Sequence, residues 1–332
     1  MCDLTISVAM TAYNNSVYLG MQLESILNQT VFPDEIIICE DHSTDLKVKN
    51  VLEEFKKRCP VECRIEYNEK NLGNRLNYQK VYSLCSGDVI IQCDSDDVWT
   101  ENKIEEIKNV FAKNEDVSLV FHDAIVINEN GEEIHDSFYH KMGMLPNMEL
   151  DQDKFLVNAI SKHIFPYGMS MAIRKDILKE ILPFYLVQDQ WIAFCAPLFG
   201  KVAYIDKKLI KYRRHSNNES GNNKLIFSQS KLGKIKETLR NKKEVSRERW
   251  FDWVDKTVDD YRIYYNKFQK QLPSNVVPEI EDIILYGETM GKIIRKGHLC
   301  GVYNLVKLYK TGLYQKYRGN YSQLILDIVF TI

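Results

Sequence analysis

The first two thirds of the chain alternate short apolar runs with segments whose apolar residues recur at helical spacing. The apolar runs predict β-strands at residues 4–11, 35–39, 63–67 and 88–93. Between the first two runs lies a helical pattern that either Asn15 or Ser16 can cap. Strands that alternate with helices at this interval are typical of a mostly parallel sheet flanked by helices. The pattern therefore predicts an α/β fold.

The alternation continues more loosely in the middle of the chain. The predicted elements are strands at 118–127, 168–173 and 202–205, and helices at 154–162, 176–182 and 189–199. Periodicity is lost from 135 to 151, where we expect a flexible loop over a site. From residue 224 onward the sequence becomes helical, basic and aromatic. We therefore predict an α/β domain at 1–222 and a helical C-terminal region at 223–332.

Composition fits a folded protein whose charge is unevenly distributed. The 332 residues are 45% hydrophobic and 27% charged, which is ordinary for a globular protein. Residues 223–332 carry 20 Lys and Arg against 12 Asp and Glu, whereas the rest of the chain carries 24 against 34. Such a basic region can meet phosphates or an anionic membrane face, or can consist of solvated helix surfaces. We do not expect a nucleic-acid partner.

Cysteine usage and hydropathy indicate the compartment. Eight cysteines are scattered without a CxxC pair, which favours a reducing cytosol over a disulfide scaffold. The first ten residues lack the basic segment and apolar core of a signal peptide, and nowhere do 18 consecutive apolar residues occur. We therefore expect a cytoplasmic protein that neither spans a membrane nor is exported.

Three carboxylates follow the fourth predicted strand directly, at Asp94, Asp96 and Asp97. In open α/β sheets, ligands bind outside the carboxyl ends of the strands. Because like charges this close repel one another, a cation among them is favoured, and Mg²⁺ or Mn²⁺ prefers carboxylates together with phosphate oxygens. The alternative is an acidic turn that caps the following helix.

Polar residues also follow the first two predicted strands. Asp41 after the second strand can bind a base or a ribose hydroxyl, or can be a turn residue before Ser43. Tyr13 and Asn14 after the first strand can stack on and hydrogen-bond a nucleobase, or can form an ordinary turn. Taken together, the three strand ends predict a site for a nucleoside diphosphate along one edge of one sheet.

Six short motifs in this order resemble the family 2 glycosyltransferases, which have the GT-A fold. They are residues 12–14 (AYN), 40–45 (EDHSTD), 71–73 (NLG), 94–99 (DSDDVW), 188–191 (QDQW) and 212–218 (YRRHSNN). The resemblance covers about residues 4 to 221. It implies a catalytic domain with a Rossmann-like mixed sheet flanked by helices, followed by a helical extension. It also implies inverting sugar transfer from a nucleoside diphosphate sugar.

The resemblance assigns roles to residues of this chain. The implied nucleotide-sugar-binding residues are Ala12, Tyr13, Asn14, Asp41, Asn71, Gly73, Arg75, Asp94, Ser95 and Arg213. Asp189 would be the general base, and Asp94, Asp96 and His215 would bind Mn²⁺ or Mg²⁺. Tyr212 and Arg213 would build a loop that closes on the diphosphate. The alternative interpretation of Asp189 is a helix cap, and that of His215 is a lone exposed histidine.

Two features depart from the family pattern. Glu40 and His42 stand where the usual second motif has its first aspartate and its glycine. A histidine in such a tight turn is expected to restrain the loop. The helix after Asn71 carries Arg75 and Asn77 instead of an alanine-rich pattern.

The resemblance implies transfer of a hexose or deoxyhexose, such as rhamnose, from a UDP- or dTDP-linked donor to a glycan or lipid-linked glycan, in surface polysaccharide synthesis. A non-catalytic relative that binds a nucleotide-sugar or carbohydrate is the alternative. A dinucleotide oxidoreductase is excluded because no Gly-x-Gly-x-x-Gly follows the first strand, and a P-loop protein is excluded because its Gly-Lys-Ser/Thr motif is missing. A sugar-phosphate nucleotidyltransferase would need a Gly-rich basic N-terminal loop, which is also missing.

The C-terminal region offers aromatic residues but no catalytic group. Trp250, Phe251 and Trp253, together with residues 324–332, can rest on the inner face of the cell membrane. A homodimer interface or an acceptor platform is the alternative, and an aromatic stripe at helical spacing often belongs to a core.

Overall fold

A computed structural model of the protein describes residues 4–141, 151–162, 164–216, 218, 247–295 and 298–317. The chain forms two compact units, Met1–Phe155 with Ile164–Gly221, and Leu156–His163 with Asn222–Ile332. Residues 219–246, around the predicted boundary at 222, lie outside the described part, so the domain limits stay a prediction.

A mixed sheet forms the centre of the first unit. Its strands are β1 (Ile6–Ala12), β2 (Glu35–Glu40), β3 (Glu62–Tyr67), β4 (Val89–Cys93), β5 (Val98–Trp99), β6 (Val117–Ile127), β7 (Glu133–His135), β8 (Met171–Arg174) and β9 (Lys201–Arg213). They lie in the order β3-β2-β1-β4-β8-β6-β9-β5, with β7 beside β6. Strands β1 to β4 are parallel, and β8 runs antiparallel to both β4 and β6. The predicted α/β class is therefore confirmed, with a mixed sheet.

Helices pack on the sheet, and the strand sequences show why. The helices of this unit are α1 (Ser16–Leu27), α2 (Lys47–Arg58), α3 (Asn74–Leu84), α4 (Lys103–Lys113), α5 (Phe138–Lys141), α6 (Gln152–Lys162), α7 (Leu178–Ile181) and α8 (Gln188–Cys195), of which α6 continues into the second unit. Strands β2 and β4 are buried at every position, as parallel strands covered on both faces require. Edge strand β3 instead has several exposed residues.

Two predicted segments differ from the structure. Strand β9 runs for 13 residues instead of ending at residue 205, because its second half pairs with both β6 and β5. Tyr212 and Arg213 are therefore buried strand residues, and the prediction that they form a loop is wrong. The predicted strand at 168–173 begins as a short 3₁₀ turn, Gly168–Ser170, before β8. Part of the predicted flexible loop, residues 142–150, lies outside the described residues.

The second unit is helical. After the end of α6 it contains α9 (Arg247–Phe268), α10 (Val277–Arg295), α11 (His298–Lys310) and α12 (Leu313–Tyr317). Five buried residues form a core here: Met290, Ile293, Leu305, Leu308 and Tyr314. Pro278 lies in the first turn of α10, where its missing N–H costs no helix bond. The predicted helical extension is confirmed.

Membrane and dimer contacts of this region stay predictions. No helix within the described ranges is both long and apolar enough to cross a bilayer. The side chains of Trp250, Phe251 and Trp253, and the whole of residues 324–332, lie outside the described part of the structure.

Candidate active site

The carboxyl ends of three neighbouring parallel strands bring the predicted site residues to one edge of the sheet. Strand β1 lies between β2 and β4, so the residues that follow these strands are adjacent. Tyr13 stands at this edge with 48% of its surface exposed, which leaves its ring accessible to a stacking partner. Ala12, in contrast, is buried as the last residue of β1.

Asn14 connects the loops that follow β1 and β2. Its Oδ1 accepts hydrogen bonds from the backbone N–H groups of Thr44 at 2.8 Å and Asp45 at 3.0 Å. Its own N–H donates to the Ser43 hydroxyl at 2.9 Å. Asn14 has a positive φ of 48°, a conformation that asparagine tolerates better than most residues. The structure thus shows Asn14 ordering the predicted nucleotide loop.

Asp41 organises the third motif. Its side chain is 3% exposed, and its Oδ1 and Oδ2 accept the backbone N–H groups of Leu72 at 2.8 Å and Gly73 at 2.9 Å. The Asn68 amide adds a bond to Oδ1 at 2.7 Å, and the Asn71 amide donates to the Asp41 carbonyl at 3.2 Å. Gly73 has a φ of 76°, which requires glycine. The structure shows that Asp41 orders the segment at 71–73. Contact between Asp41 and a nucleoside stays a prediction.

The two departures in the second motif have structural explanations. His42 takes a φ of 59°, the left-handed conformation that a glycine at this position would adopt more easily. Its Nδ1 lies 3.3 Å from the Asn68 carbonyl oxygen, which restrains the ring. The Glu40 carboxylate accepts the Ser43 backbone N–H at 2.7 Å and so closes the turn.

The three carboxylates after β4 have different surroundings. Asp94 accepts a hydrogen bond from the Tyr78 hydroxyl. Asp96 lies 2.9 Å from the Nε2 of His215. Asp97 is fully buried: its Oδ1 accepts the Arg213 backbone N–H at 2.9 Å, and its Oδ2 has no hydrogen-bond partner among the described residues. The alternative of an acidic turn that caps the following helix is not supported for Asp97, because the N-cap residue of α4 is Asn102.

Burial and mutual repulsion disfavour the ionised forms of the carboxyl groups at this strand end. Burial, together with the charge of Asp96 and the smaller effect of Asp189, raises the pKa of Asp94 to about 6. Burial and the neighbouring charges of Asp96 and Asp94 also raise the pKa of Asp97 well above its usual range. A cation among these groups would favour their ionised forms. Among the described residues, however, no three His, Cys, Asp or Glu side chains form a ready-made metal site.

Arg213 joins the acidic turn to the end of β9. Its Nε donates to the Asp96 carbonyl at 2.9 Å, and its Nη1 lies 3.3 Å from the carbonyl oxygens of Asn128 and Glu129. The guanidinium group also lies 4.7 Å from the Tyr18 ring centroid. Arg213 is only 2% exposed, and its buried guanidinium group holds these backbone carbonyls together. Contact of Arg213 with a diphosphate stays a prediction.

His215 belongs to the same group of side chains. Its ring centroid lies 4.8 Å from that of Tyr18. The Asn218 amide donates at 3.1 Å to Oδ2 of Asp96, the oxygen that His215 also contacts. His215 is therefore not the isolated exposed histidine of the alternative interpretation.

Arg75 and Ser95 are less centrally placed. The Arg75 guanidinium donates to the Phe184 carbonyl, which ties α3 to the segment before α8, and a phosphate contact of Arg75 stays a prediction. The Ser95 hydroxyl accepts from the Asn15 amide at 3.3 Å. Asn15, one of the two predicted capping residues, is the N-cap residue of α1, but its side chain makes no capping hydrogen bond.

Asp189 lies in the first turn of α8, and its charge contributes to the raised pKa of Asp94 at the acidic strand end. It is not the N-cap, which is Val187, so the alternative of a capping aspartate is not supported. Its Oδ2 lies 3.4 Å from the Gly168 backbone nitrogen. The position of α8 is fixed by Trp191, which is fully buried and donates from Nε1 to the Ile181 carbonyl at 2.7 Å.

Several residues of the site escape sequence reasoning. Lys103 is fully buried in α4, donates from Nζ to the Met169 carbonyl at 2.9 Å and lies 4.2 Å from the Trp99 ring centroid. Burial lowers the pKa of Lys103 to about 8. Gln92 and Tyr78 are likewise buried beside Asp94. In the sequence they look like ordinary residues of an amphipathic helix or a strand, and no local signal distinguishes them.

The fold and this site define the class of protein. The chain belongs to glycosyl transferase family 2, whose family model matches residues 7–182. It is 27% identical over 220 residues to an uncharacterized glycosyltransferase of Nostoc sp., alr2836, in a match covering 65% of this chain and 66% of that protein. It is 32% identical over 130 residues to WfgD of Escherichia coli, covering 39% of this chain and 49% of WfgD. By its name, WfgD is a UDP-Glc:alpha-D-GlcNAc-diphosphoundecaprenol beta-1,3-glucosyltransferase.

A solved structure shows the same fold. The crystal structure of S. aureus TarS in complex with UDP-GlcNAc matches with a TM-score of 0.57 at 15% identity, covering 93% of this chain and 92% of that chain. This likeness confirms the predicted GT-A fold.

The chain spans about two thirds or less of the length of the curated relatives named above, 66% of alr2836 and 49% of WfgD.

Proposed function

We propose that the protein is an inverting glycosyltransferase that moves a hexose or deoxyhexose from a nucleoside diphosphate sugar to an acceptor hydroxyl. The observation that carries this proposal is the position of Asp189: its Oδ2 lies 3.4 Å from the backbone nitrogen of Gly168, which packs on the Gln92 amide beside Asp94. A single displacement requires a base close to the reacting carbon, on the face opposite the leaving diphosphate.

The donor is a UDP- or dTDP-linked sugar. Support comes from the exposed Tyr13 ring and from the loop that Asp41 folds beside it. The fold shared with TarS, whose structure contains UDP-GlcNAc, favours a uridine carrier. The diphosphate then lies next to Asp94 and Ser95, at the end of β4.

The site suits Mn²⁺ or Mg²⁺ bound together with the donor. Asp96 and His215, 2.9 Å apart, would hold the ion with Asp94, and diphosphate oxygens would complete the coordination. Support comes from the Oδ2 of buried Asp97, which has no hydrogen-bond partner among the described residues, and from the raised pKa of Asp94, which persists although Lys103 and Arg213 lie nearby. When bound, the ion supplies charge neutralisation for the leaving diphosphate.

The residues of this chain then divide the reaction between them. Asp189 accepts the proton of the acceptor hydroxyl while the oxygen of that hydroxyl forms a bond to the anomeric carbon of the donor sugar. The bond from that carbon to the diphosphate oxygen breaks on the opposite face, so the configuration inverts. Trp191, buried behind Asp189, holds α8 and keeps the base in place.

The acceptor is a glycan or a lipid-linked glycan of a surface polysaccharide. WfgD, by its name, acts on a GlcNAc carried by diphosphoundecaprenol, which supports a lipid-linked acceptor. An acceptor of this kind places the protein in the cytoplasm, peripherally at the inner face of the cell membrane. The excess of Lys and Arg in residues 223–332, 20 against 12 acidic residues, supports that location. Homodimer formation is a separate proposal, tested by light scattering.

The decisive experiment measures donor binding and product stereochemistry. A panel of UDP- and dTDP-sugars is tested for a rise in melting temperature that depends on Mn²⁺, and the active donor is then incubated with lipid-linked GlcNAc acceptors. We expect a metal-dependent shift with one donor, and a product whose anomeric configuration, determined by NMR, is opposite to that of the donor. Retained configuration would contradict the inverting mechanism.

The alternative is a relative that binds a nucleotide-sugar without transferring it. It would be favoured by an Asp189 directed away from the cleft, whereas Oδ2 of Asp189 lies 3.4 Å from the backbone nitrogen of Gly168, which packs on Gln92 beside Asp94. Metal-dependent donor binding without transfer to any acceptor, and without slow donor hydrolysis, would support this alternative.

A further inference from the structure

Gln92 is an amide buried at the catalytic end of β4. It is the fourth residue of the strand Val89–Cys93, where its neighbours are apolar, and its side chain is 0% exposed. Its Oε1 accepts a hydrogen bond from the Tyr82 hydroxyl at 3.1 Å. Because burying an amide in a strand interior is costly, an apolar residue would be the simpler choice here. The amide therefore calls for an explanation in terms of its neighbours.

On one side, the Gln92 amide meets Asp94. Its Nε2 lies 3.5 Å from Oδ1 of Asp94, at the outer limit of a hydrogen bond, so the contact is mainly one of packing. Asp94 is held independently by the hydroxyl of Tyr78, which is buried in α3.

On the other side, the amide meets Gly168. A Cβ added at Gly168 would clash with Nε2 of Gln92, the atom that also meets Asp94, and would lie 2.8 Å from Cδ, closer than packed atoms allow. Gly168 is not among the glycines with positive φ, so it is needed for space and not for backbone conformation. The backbone nitrogen of Gly168 in turn lies 3.4 Å from Oδ2 of Asp189.

These contacts place the groups in one order: Asp94, the Gln92 amide, Gly168 and Asp189. We propose that Gln92 is a positioning residue whose amide is the spacer that sets the distance between the Asp94 and Asp189 carboxylates. The proposal rests on the proposed function, in which Asp94 lies at the donor diphosphate and Asp189 at the acceptor hydroxyl. The length of the spacer then fixes how far the attacking oxygen stands from the anomeric carbon.

The spacer predicts which kinetic constant changes. Since Tyr78 holds Asp94 without Gln92, shortening the spacer displaces the Asp189 side, and donor binding is spared. We expect Gln92→Ala and Gly168→Ala each to lower kcat at least about tenfold, with the donor KM changed by less than about twofold, because small misplacements of a reacting group cost rate. Gln92→Met, which keeps the length and volume of the side chain, should stay within about threefold of wild-type kcat.

The combined variant tests the spacer directly. In Gln92→Ala/Gly168→Ala the new methyl group at residue 168 refills the space that the amide leaves. We expect its kcat to exceed that of either single variant. Gly20→Ala is the matched control, because a Cβ at Gly20 has nothing within 4 Å, and it should keep wild-type kcat and KM. A combined variant no faster than the faster of the two single variants, or full kcat in Gln92→Ala, would overturn the proposal.

Crystal structures separate this proposal from the proposed function. In Gln92→Ala the Asp94 to Asp189 distance should change by at least about 0.5 Å, the tolerance of productive geometry, and in Gln92→Met it should not. An unchanged distance in Gln92→Ala would overturn the spacer whatever the activity. Lack of transfer by the wild-type protein with every donor would count against the proposed function, while the measured distances would still decide the role of Gln92.

Discussion

Replacing Asp94 by Asn should stabilise the metal-free protein at neutral pH, because the Asp94 carboxylate is ionised there at a cost. Burial, and then the charge of Asp96, raises the pKa of Asp94 from 3.8 to about 6. At roughly 1.4 kcal/mol per pKa unit, this difference corresponds to about 3 kcal/mol of unfolding free energy. Asparagine keeps an oxygen that can accept the Tyr78 hydroxyl, so the substitution removes mainly the charge.

The pH dependence has a definite sign. Between about pH 4 and 6 the folded protein keeps the proton on Asp94 while the unfolded chain loses it, so the unfolding free energy falls as pH rises through this window. Below about pH 4 the carboxyl group is largely protonated in both states, and the wild type and Asp94→Asn should be nearly equally stable. Above about pH 6 the advantage of the variant should reach its full value.

Urea unfolding in the presence of a chelator measures this difference. Wild type and Asp94→Asn are compared from about pH 4 to about pH 8, with the difference in unfolding free energy as the readout. Asp116→Asn is the control with the opposite sign, because the hydrogen bond from Lys201 lowers the pKa of exposed Asp116. If Asp94→Asn is no more stable than wild type above pH 6, the electrostatic account of this strand end is refuted.

Three further predictions test the base and the packing. Asp189→Asn should abolish transfer yet keep Mn²⁺-dependent donor binding in calorimetry, and retained turnover would exclude Asp189 as the base. Glu35→Gln should lower the unfolding free energy by about 1 to 2 kcal/mol, because a charged acceptor of the Ser7 hydroxyl at 2.5 Å is lost; an unchanged urea midpoint would contradict this. Gly87→Ala should lower the unfolding free energy by about 1 to 3 kcal/mol, because its Cβ would lie 2.7 Å from the Ser7 hydroxyl. Gly20→Ala, in open space on α1, should raise the unfolding free energy by up to about 1 kcal/mol. Equal melting temperatures of the two variants would contradict this prediction.

The main strands were predictable because their signal is local. Strands β2 and β4 are uninterrupted apolar runs, and parallel strands covered on both faces need such sequences. Strand β9 was predicted too short because three consecutive charged residues, 206–208, interrupt its apolar pattern, and pairing with β5 and β6 extends it beyond them. Propensity carries no information about such distant partners.

The sequence by itself determined which polar residues end the strands, and therefore that Tyr13, Asp41 and Asp94 meet at one edge of the sheet. That followed because the carboxyl ends of adjacent parallel strands coincide. Only the tertiary structure decided which groups these residues contact. Asp41 binds the backbone of residues 72 and 73, Arg213 is buried with its Nε on the Asp96 carbonyl, and Gln92 packs between Asp94 and Gly168. The physical reason is that burial and hydrogen bonding depend on residues far apart in the chain, such as Gln92 and Gly168, whose contact no local pattern encodes.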